Sequence, residues 1–306
     1  MPVRRASKPT AIRRTTSNRV ATSPGCEPLR EMYARADAAK PKSWNAIEDD
    51  FLRASERFDD NLVSEVANMG DLQNGKGDFF NDLVALLLEG CAEVQLYSRT
   101  LVPGFIYPTH NLDVTYPGGV DEVARFLVEA KAVGVPKWPG NPRQKQPLGR
   151  PGSADIRKRV AEVSFKTIDL KAEHGRIEAM RGQRPTTNPG GNLTTWLRAA
   201  SPKTFLFISA RVISETDLRA IVAYAGRAAQ VVDGVGLFCY EPVADDKPTR
   251  YRAVSKGIPT ELQLDRVLYR ACEDLRAILA GPSIKMPEAV VAEAVQAETL
   301  DKEADA

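Results

Sequence analysis

The sequence predicts an α/β fold, a central mixed β-sheet flanked by helices with a helical N-terminal lead-in, and three observations carry that expectation. Residues 204–212 (TFLFISARV) and 234–240 (GVGLFCY) are continuous apolar runs of strand length, as expected of strands covered on both faces. Residues 217–232, between them, repeat apolar positions at helical spacing. Earlier, Leu112-Asp113-Val114-Thr115-Tyr116 alternates apolar and polar side chains, the period of a strand. Strands and helices that alternate along a chain build a layered α/β structure.

The elements follow in order. Residues 1–25 carry Arg4, Arg5, Lys8, Arg13, Arg14 and Arg19 among Ser, Thr and Pro, with no acidic residue before Glu27, and read as a disordered basic arm. Residues 26–70 read as the helical lead-in, from Leu29, Met32 and Tyr33 through Ile47, Phe51, Leu52 and Phe58. Gly75 and Gly77 are expected to end it, and Asp78 to N-cap a second helix through Phe80, Leu83, Leu87 and Leu88 to Gly90. Residues 112–116 and 125–133 form two neighbouring strands around the turn Pro117-Gly118-Gly119. Ile156, Val160, Val163, Thr167, Leu170 and Ile177 mark one face of a helix, and residues 264–279 close a main domain spanning 71–282 with an amphipathic helix. Residues 283–306, acidic from Glu288 onward apart from Lys302, read as a frayed helix or tail.

Composition narrows the functional classes. At 306 residues, with 43% hydrophobic and 27% charged side chains, the chain is neither wholly disordered nor collagen-like. The apolar run at 83–88 is too short to cross a bilayer, and residues 1–24 lack the apolar segment of a secretory signal, so the cytoplasm is the expected compartment. Cys26, Cys91, Cys239 and Cys272 form no CxxC pair, and with only His110 and His174 beside them they are expected to be thiols, not zinc ligands. No GxSxG and no GxxxxGK[ST] segment is present, which removes the serine-hydrolase elbow and the P-loop.

The net charge of +2 hides a basic stretch from Lys131 to Arg159, where eight basic side chains face Asp155 alone, a local +7. Prolines at 136, 139, 142, 147 and 151 exclude a regular helix or central strand there, so residues 134–152 form a long basic loop. Lys137, Lys145 and Arg150 offer positive charge for phosphates, and Arg143, Gln144 and Gln146 have side chains that can contact base edges.

Chemistry concentrates at Glu129-Ala130-Lys131. An acid two residues before a lysine occurs three times, but Asp169 and Lys171 lie on a helix, which sends them to opposite sides, and Asp245-Asp246-Lys247 lies in a polar turn. On a strand, residues two apart share a face, so Glu129 and Lys131 stand side by side above the sheet, with Asp113 on the preceding strand as a partner. Two carboxylates from adjacent strands and a lysine make a site for Mg²⁺, which accepts one or two protein carboxylates and fills its other positions with water and phosphate oxygens. The competing reading is a surface ion pair on an edge strand, with Asp113 starting a turn. His110 reads as structural and His174 as solvated.

The segment NLDVTYP…FLVEAK resembles the active-site hairpin of the PD-(D/E)XK nucleases, the superfamily of many type II restriction endonucleases. Asp113 matches the motif's first acid, Glu129 its second and Lys131 its lysine, although Leu112 stands where the motif has proline. The resemblance implies a restriction-endonuclease-like core in 71–282 and a Mg²⁺-dependent endodeoxyribonuclease in which Glu89, or Asp82, on the preceding helix completes the metal site. It further implies a homodimer acting on double-stranded DNA, with a companion DNA methyltransferase in the same system. A repair or recombination nuclease of the same superfamily, and a DNA-binding module without activity, are the alternatives.

Overall fold

A computed structural model describes residues 38–64, 69–118, 122–137, 148–183, 192–244 and 246–293. Six strands form one mixed sheet whose spatial order is the order of the chain: β1 (Tyr97–Pro103), β2 (Thr109–Tyr116), β3 (Phe126–Val133), β4 (Lys203–Arg211), β5 (Gly234–Ala244) and β6 (Lys247–Val254). β1, β2 and β3 are successively antiparallel, β3, β4 and β5 are parallel, and β6 returns antiparallel to β5. The two parallel steps need crossovers, which α3 (Ser153–Met180) and α5 (Glu215–Ala228) supply on one face of the sheet. On the other face lie α1 (Glu48–Val63), α2 (Met69–Ala92) and α6 (Leu264–Ala280).

Strand alternation divides the core between these faces. Phe126, Val128 and Ala130 of β3, with Phe205 and Phe207 of β4, point toward α2 and α6. Val133, Leu206, Ile208 and Ala210 point toward α3 and α5. The segment expected to be a separate lead-in is part of the domain: Trp44, Phe51 and Phe58 are buried in one aromatic cluster with Phe80, Phe238 and Tyr240. Each such ring contributes about 1.5–3 kcal/mol by leaving water.

Several expectations are corrected. The glycines at 75 and 77 do not end a helix, and Asp78 does not cap one, because α2 runs unbroken from Met69 to Ala92. Its apolar face, Phe79, Phe80, Leu83, Val84 and Leu87, is fully buried, and that packing outweighs about 1 kcal/mol of poor helix propensity at each glycine. β1, β6 and the short α4 (Leu193–Ala199), capped by Asn192, were not expected; Lys247, assigned to a turn, opens β6. Cys91 of α2 and Cys272 of α6 are joined in a disulfide, while Cys239 is a buried thiol. The start of the acidic tail is docked: Val290 is buried with Ile177 and Val123, and Glu293 pairs with Arg176. The basic arm and residues 294–306 lie outside the described residues. No helix among the described residues is long and apolar enough to cross a membrane.

Candidate functional site

β2 and β3 are paired only from Tyr116 opposite Phe126 to Val114 opposite Val128. At the next position a side chain replaces the ladder: Asp113 Oδ2 accepts the backbone N–H of Ala130 at 2.8 Å. The same oxygen accepts from Lys131 Nζ at 2.9 Å, and that ammonium also pairs with Glu129. From α3, Lys166 Nζ donates to Glu129 Oε1 at 2.9 Å and to the Asn111 carbonyl at 3.1 Å. Two carboxylates and two ammonium groups thus form one cluster where the strands part.

The structure brings Asp113, Glu129 and Lys131 together as expected. Glu129 and Lys131 alternate with Val128 and Ala130, so they face α3 alongside Leu127 and Val133. The edge-strand reading does not hold, since β3 is paired on both sides and the Glu129 side chain is only 5% exposed. Asp113, at 28%, is the open end of the cluster.

Burial raises the Glu129 pKa above the ordinary carboxyl value, the nearby charge of Asp113 raises it further, and Lys131 and Lys166 pull it back. For Lys131 burial acts downward, but Asp113 and Glu129 outweigh it and raise the pKa, so the amine is held as ammonium. The site is therefore a crowded pair of carboxylates stabilised by internal cations. Both acids offer oxygen of the kind Mg²⁺ takes and Asp113 is partly open to solvent, but Lys131 and Lys166 already engage both Glu129 oxygens and Asp113 Oδ2, so a cation would have to displace them. No group of three His, Cys, Asp or Glu side chains suited to a metal occurs among the described residues.

Glu89 and Asp82 do not join the cluster. α2 packs against the Phe126–Val128–Ala130 face, opposite to Glu129 and Lys131, and Glu89 Oε1 accepts the Leu96 N–H at 2.7 Å. The α2 side chain that reaches Asp113 is Asn81, whose Nδ2 donates to the Asp113 carbonyl at 3.3 Å.

The basic loop leaves the sheet two residues after Lys131. Val135 and Arg150 bridge its base, and Gly134 (φ 85°) and Gly149 (φ 104°) take left-handed conformations there. Lys137 is exposed, and Arg150 is exposed and pairs with Asp155 in the first turn of α3. Arg143, Gln144, Lys145 and Gln146 lie outside the described residues.

His110 is structural: its Nε2 lies 2.7 Å from Asp169 Oδ2, and Asp169 also accepts the Ile106 N–H at 2.7 Å. Lys171 points the other way, to Asp233 and to the carbonyls of Leu197 and Ala200, as helical spacing required. His174 is buried, not solvated, and burial lowers its pKa. Sequence reasoning missed Lys166, which borders the apolar stripe of α3, the helix that crosses over the motif strand.

Compared with protein-family models, curated proteins and solved structures, the chain matches none.

Proposed function

We propose that this chain is a Mg²⁺-dependent endodeoxyribonuclease that hydrolyses phosphodiester bonds, and that it cuts double-stranded DNA at specific sites as a homodimer, in the manner of a type II restriction enzyme. A companion methyltransferase and a cytoplasmic setting belong to that reading. The observation that supports it is the joining of Asp113, Glu129 and Lys131 at the point where β2 and β3 separate. In this reading Asp113 and Glu129 hold the cation. A bound Mg²⁺ supplies Lewis acidity, which makes water nucleophilic near neutral pH and offsets charge on the phosphate. The Lys131 ammonium stabilises negative charge on the attacking oxygen, and Lys166 fixes the orientation of Glu129. The exposed side of Asp113 gives the phosphodiester its approach.

Digestion of a long DNA of known sequence, with and without Mg²⁺, tests the assignment. Discrete fragments support site-specific cleavage, a smear supports a nuclease without sequence choice, and intact DNA with a mobility shift leaves only a binding module. Asp113→Asn and Glu129→Gln should each lower the cleavage rate by at least about a hundredfold, since even the outer partners of metal ligands cost 10- to 100-fold when removed. Both variants should still bind DNA. Wild-type cutting by Asp113→Asn would remove the site from the reaction.

A further inference from the structure

The turn between β1 and β2 carries an unusual surface. Phe105 is 58% exposed, Ile106 68% and Tyr107 55%, in a segment that a soluble hairpin would ordinarily fill with polar residues. The turn is held from below: Asp169, fully buried, accepts the N–H groups of Ile106 and Tyr107 and binds His110. A buried carboxylate thus fixes a set of exposed apolar side chains. Beside them Phe165 of α3 is also exposed, its ring 5.4 Å from that of Tyr107 in an edge-to-face arrangement, with His110 against both.

Two further observations indicate what meets this surface. It adjoins the carboxylate cluster, because Lys166, the neighbour of Phe165, bonds both Glu129 and the Asn111 carbonyl of β2. On the α3 side it is flanked by exposed Lys158, two helical turns before Phe165, and Arg157, while Arg159 pairs with Glu162; on the other side Phe105 and Ile106 border Glu173, Arg176 and Glu293. Exposed aromatic side chains next to exposed Lys158 and Arg157 suit a nucleic-acid strand, whose bases stack and whose phosphates are anionic. A second copy of the chain fits less well: these four side chains, even with Ile168 of α3 beside them, fall short of the roughly 800 Å² per partner of a stable interface.

We propose that Tyr107 and Phe165, with Phe105 and Ile106 at the rim, form a stacking platform for an unpaired nucleobase beside the scissile phosphate. This rests on the nuclease reading and narrows its substrate to DNA that is locally opened, either before binding or by the protein itself. Lys158 contacts the backbone of the same strand.

The test measures binding by fluorescence anisotropy in EDTA, so that nothing is cut, using a labelled duplex and the same duplex with a central unpaired bubble. The wild-type protein should bind the bubble more tightly. Tyr107→Ala and Phe165→Ala should each reduce that preference by at least about fivefold, the lower end of what one stacked base is worth. Tyr107→Trp should retain it, and Lys158→Ala should weaken both DNAs alike. Equal binding of the two DNAs by the wild type, or an unchanged preference in Tyr107→Ala, overturns the platform. So does a dimer that becomes monomeric in Tyr107→Ala with its preference intact, which would assign the surface to a second copy. Cleavage in Mg²⁺ separates the two readings. If Asp113→Asn cuts normally while Tyr107→Ala loses its preference, the catalytic assignment falls and the platform stands; the opposite pattern overturns the platform alone.

Discussion

Lys131 is placed as a built-in cation between two carboxylates that a metal would have to share. Its charge therefore opposes Mg²⁺ before DNA arrives, even though the same charge serves the phosphate afterwards. Lys131→Met should raise Mg²⁺ affinity about tenfold in the absence of DNA, a change of about 1.4 kcal/mol, and should still lower cleavage. Calorimetric titration and a single-turnover assay check the two halves. Glu129 adds a pH dependence, because its raised pKa keeps a protonated fraction above the range of an ordinary carboxyl. Cation binding needs the ionised form, so Mg²⁺ affinity should fall with pH earlier than an unperturbed Glu would allow. Stability has the opposite sign. A carboxyl whose folded pKa is raised contributes stability that is present below its unfolded value and is lost as pH rises through the folded one. Glu129→Gln should flatten both dependences, read by Mg²⁺ titration and thermal melting across a pH series.

At the scale of elements, α2 shows how packing overrides propensity. Gly77 lies within it, with nothing within 4 Å of the position a Cβ would take. Gly77→Ala should therefore stabilise the protein by about 0.5–1 kcal/mol, measured by urea denaturation. The central strands and α3 were legible because their apolar positions follow one period without interruption. The edge strands were not. β1 buries Ser98 and Thr100, with Thr100 bonded to Thr115 at 3.0 Å, so its alternation carries no apolar signal. β6 holds Pro248, Arg250 and Arg252, residues that suit an edge by discouraging further pairing. The same limit applies to the site. Asp113, Glu129 and Lys131 could be read because spacing along a strand determines which side chains share a face. Glu89 was misplaced because an apolar stripe shows that a helix packs, not which face of the sheet it packs on. Lys166 escaped because the rotation of α3 over β3 is a tertiary property.

Across the whole molecule, the bridge between Val135 and Arg150 closes the base of the basic loop. Replacing residues 138–147 with a short Gly-Ser link should shift the melting temperature by no more than about 2 °C, equivalent to under 1 kcal/mol. It should also reduce discrimination between the target and a one-base variant, by about 1–3 kcal/mol for each bidentate pairing with a base edge that the replacement removes, as measured by relative cleavage rates. The sheet has a different consequence, for how the chain is made. Because its spatial order is the sequence order, each strand leaving a ribosome, at about 5–20 residues per second, finds its partner already laid down. The early helices are exceptions: α2 waits for α6, to which Cys91–Cys272 joins it, and α1 waits for β6. Glu56 accepts the Tyr251 N–H, Asp59 accepts from the Tyr251 hydroxyl across 192 residues, and Asp60 accepts from Thr249. A nascent chain stopped before β6 would already hold the complete carboxylate cluster, yet its first helix would still lack its anchor. Closure of the aromatic core thus waits for the C-terminal elements, first β6 and then α6, whose Leu264, Leu268 and Leu275 complete the same cluster.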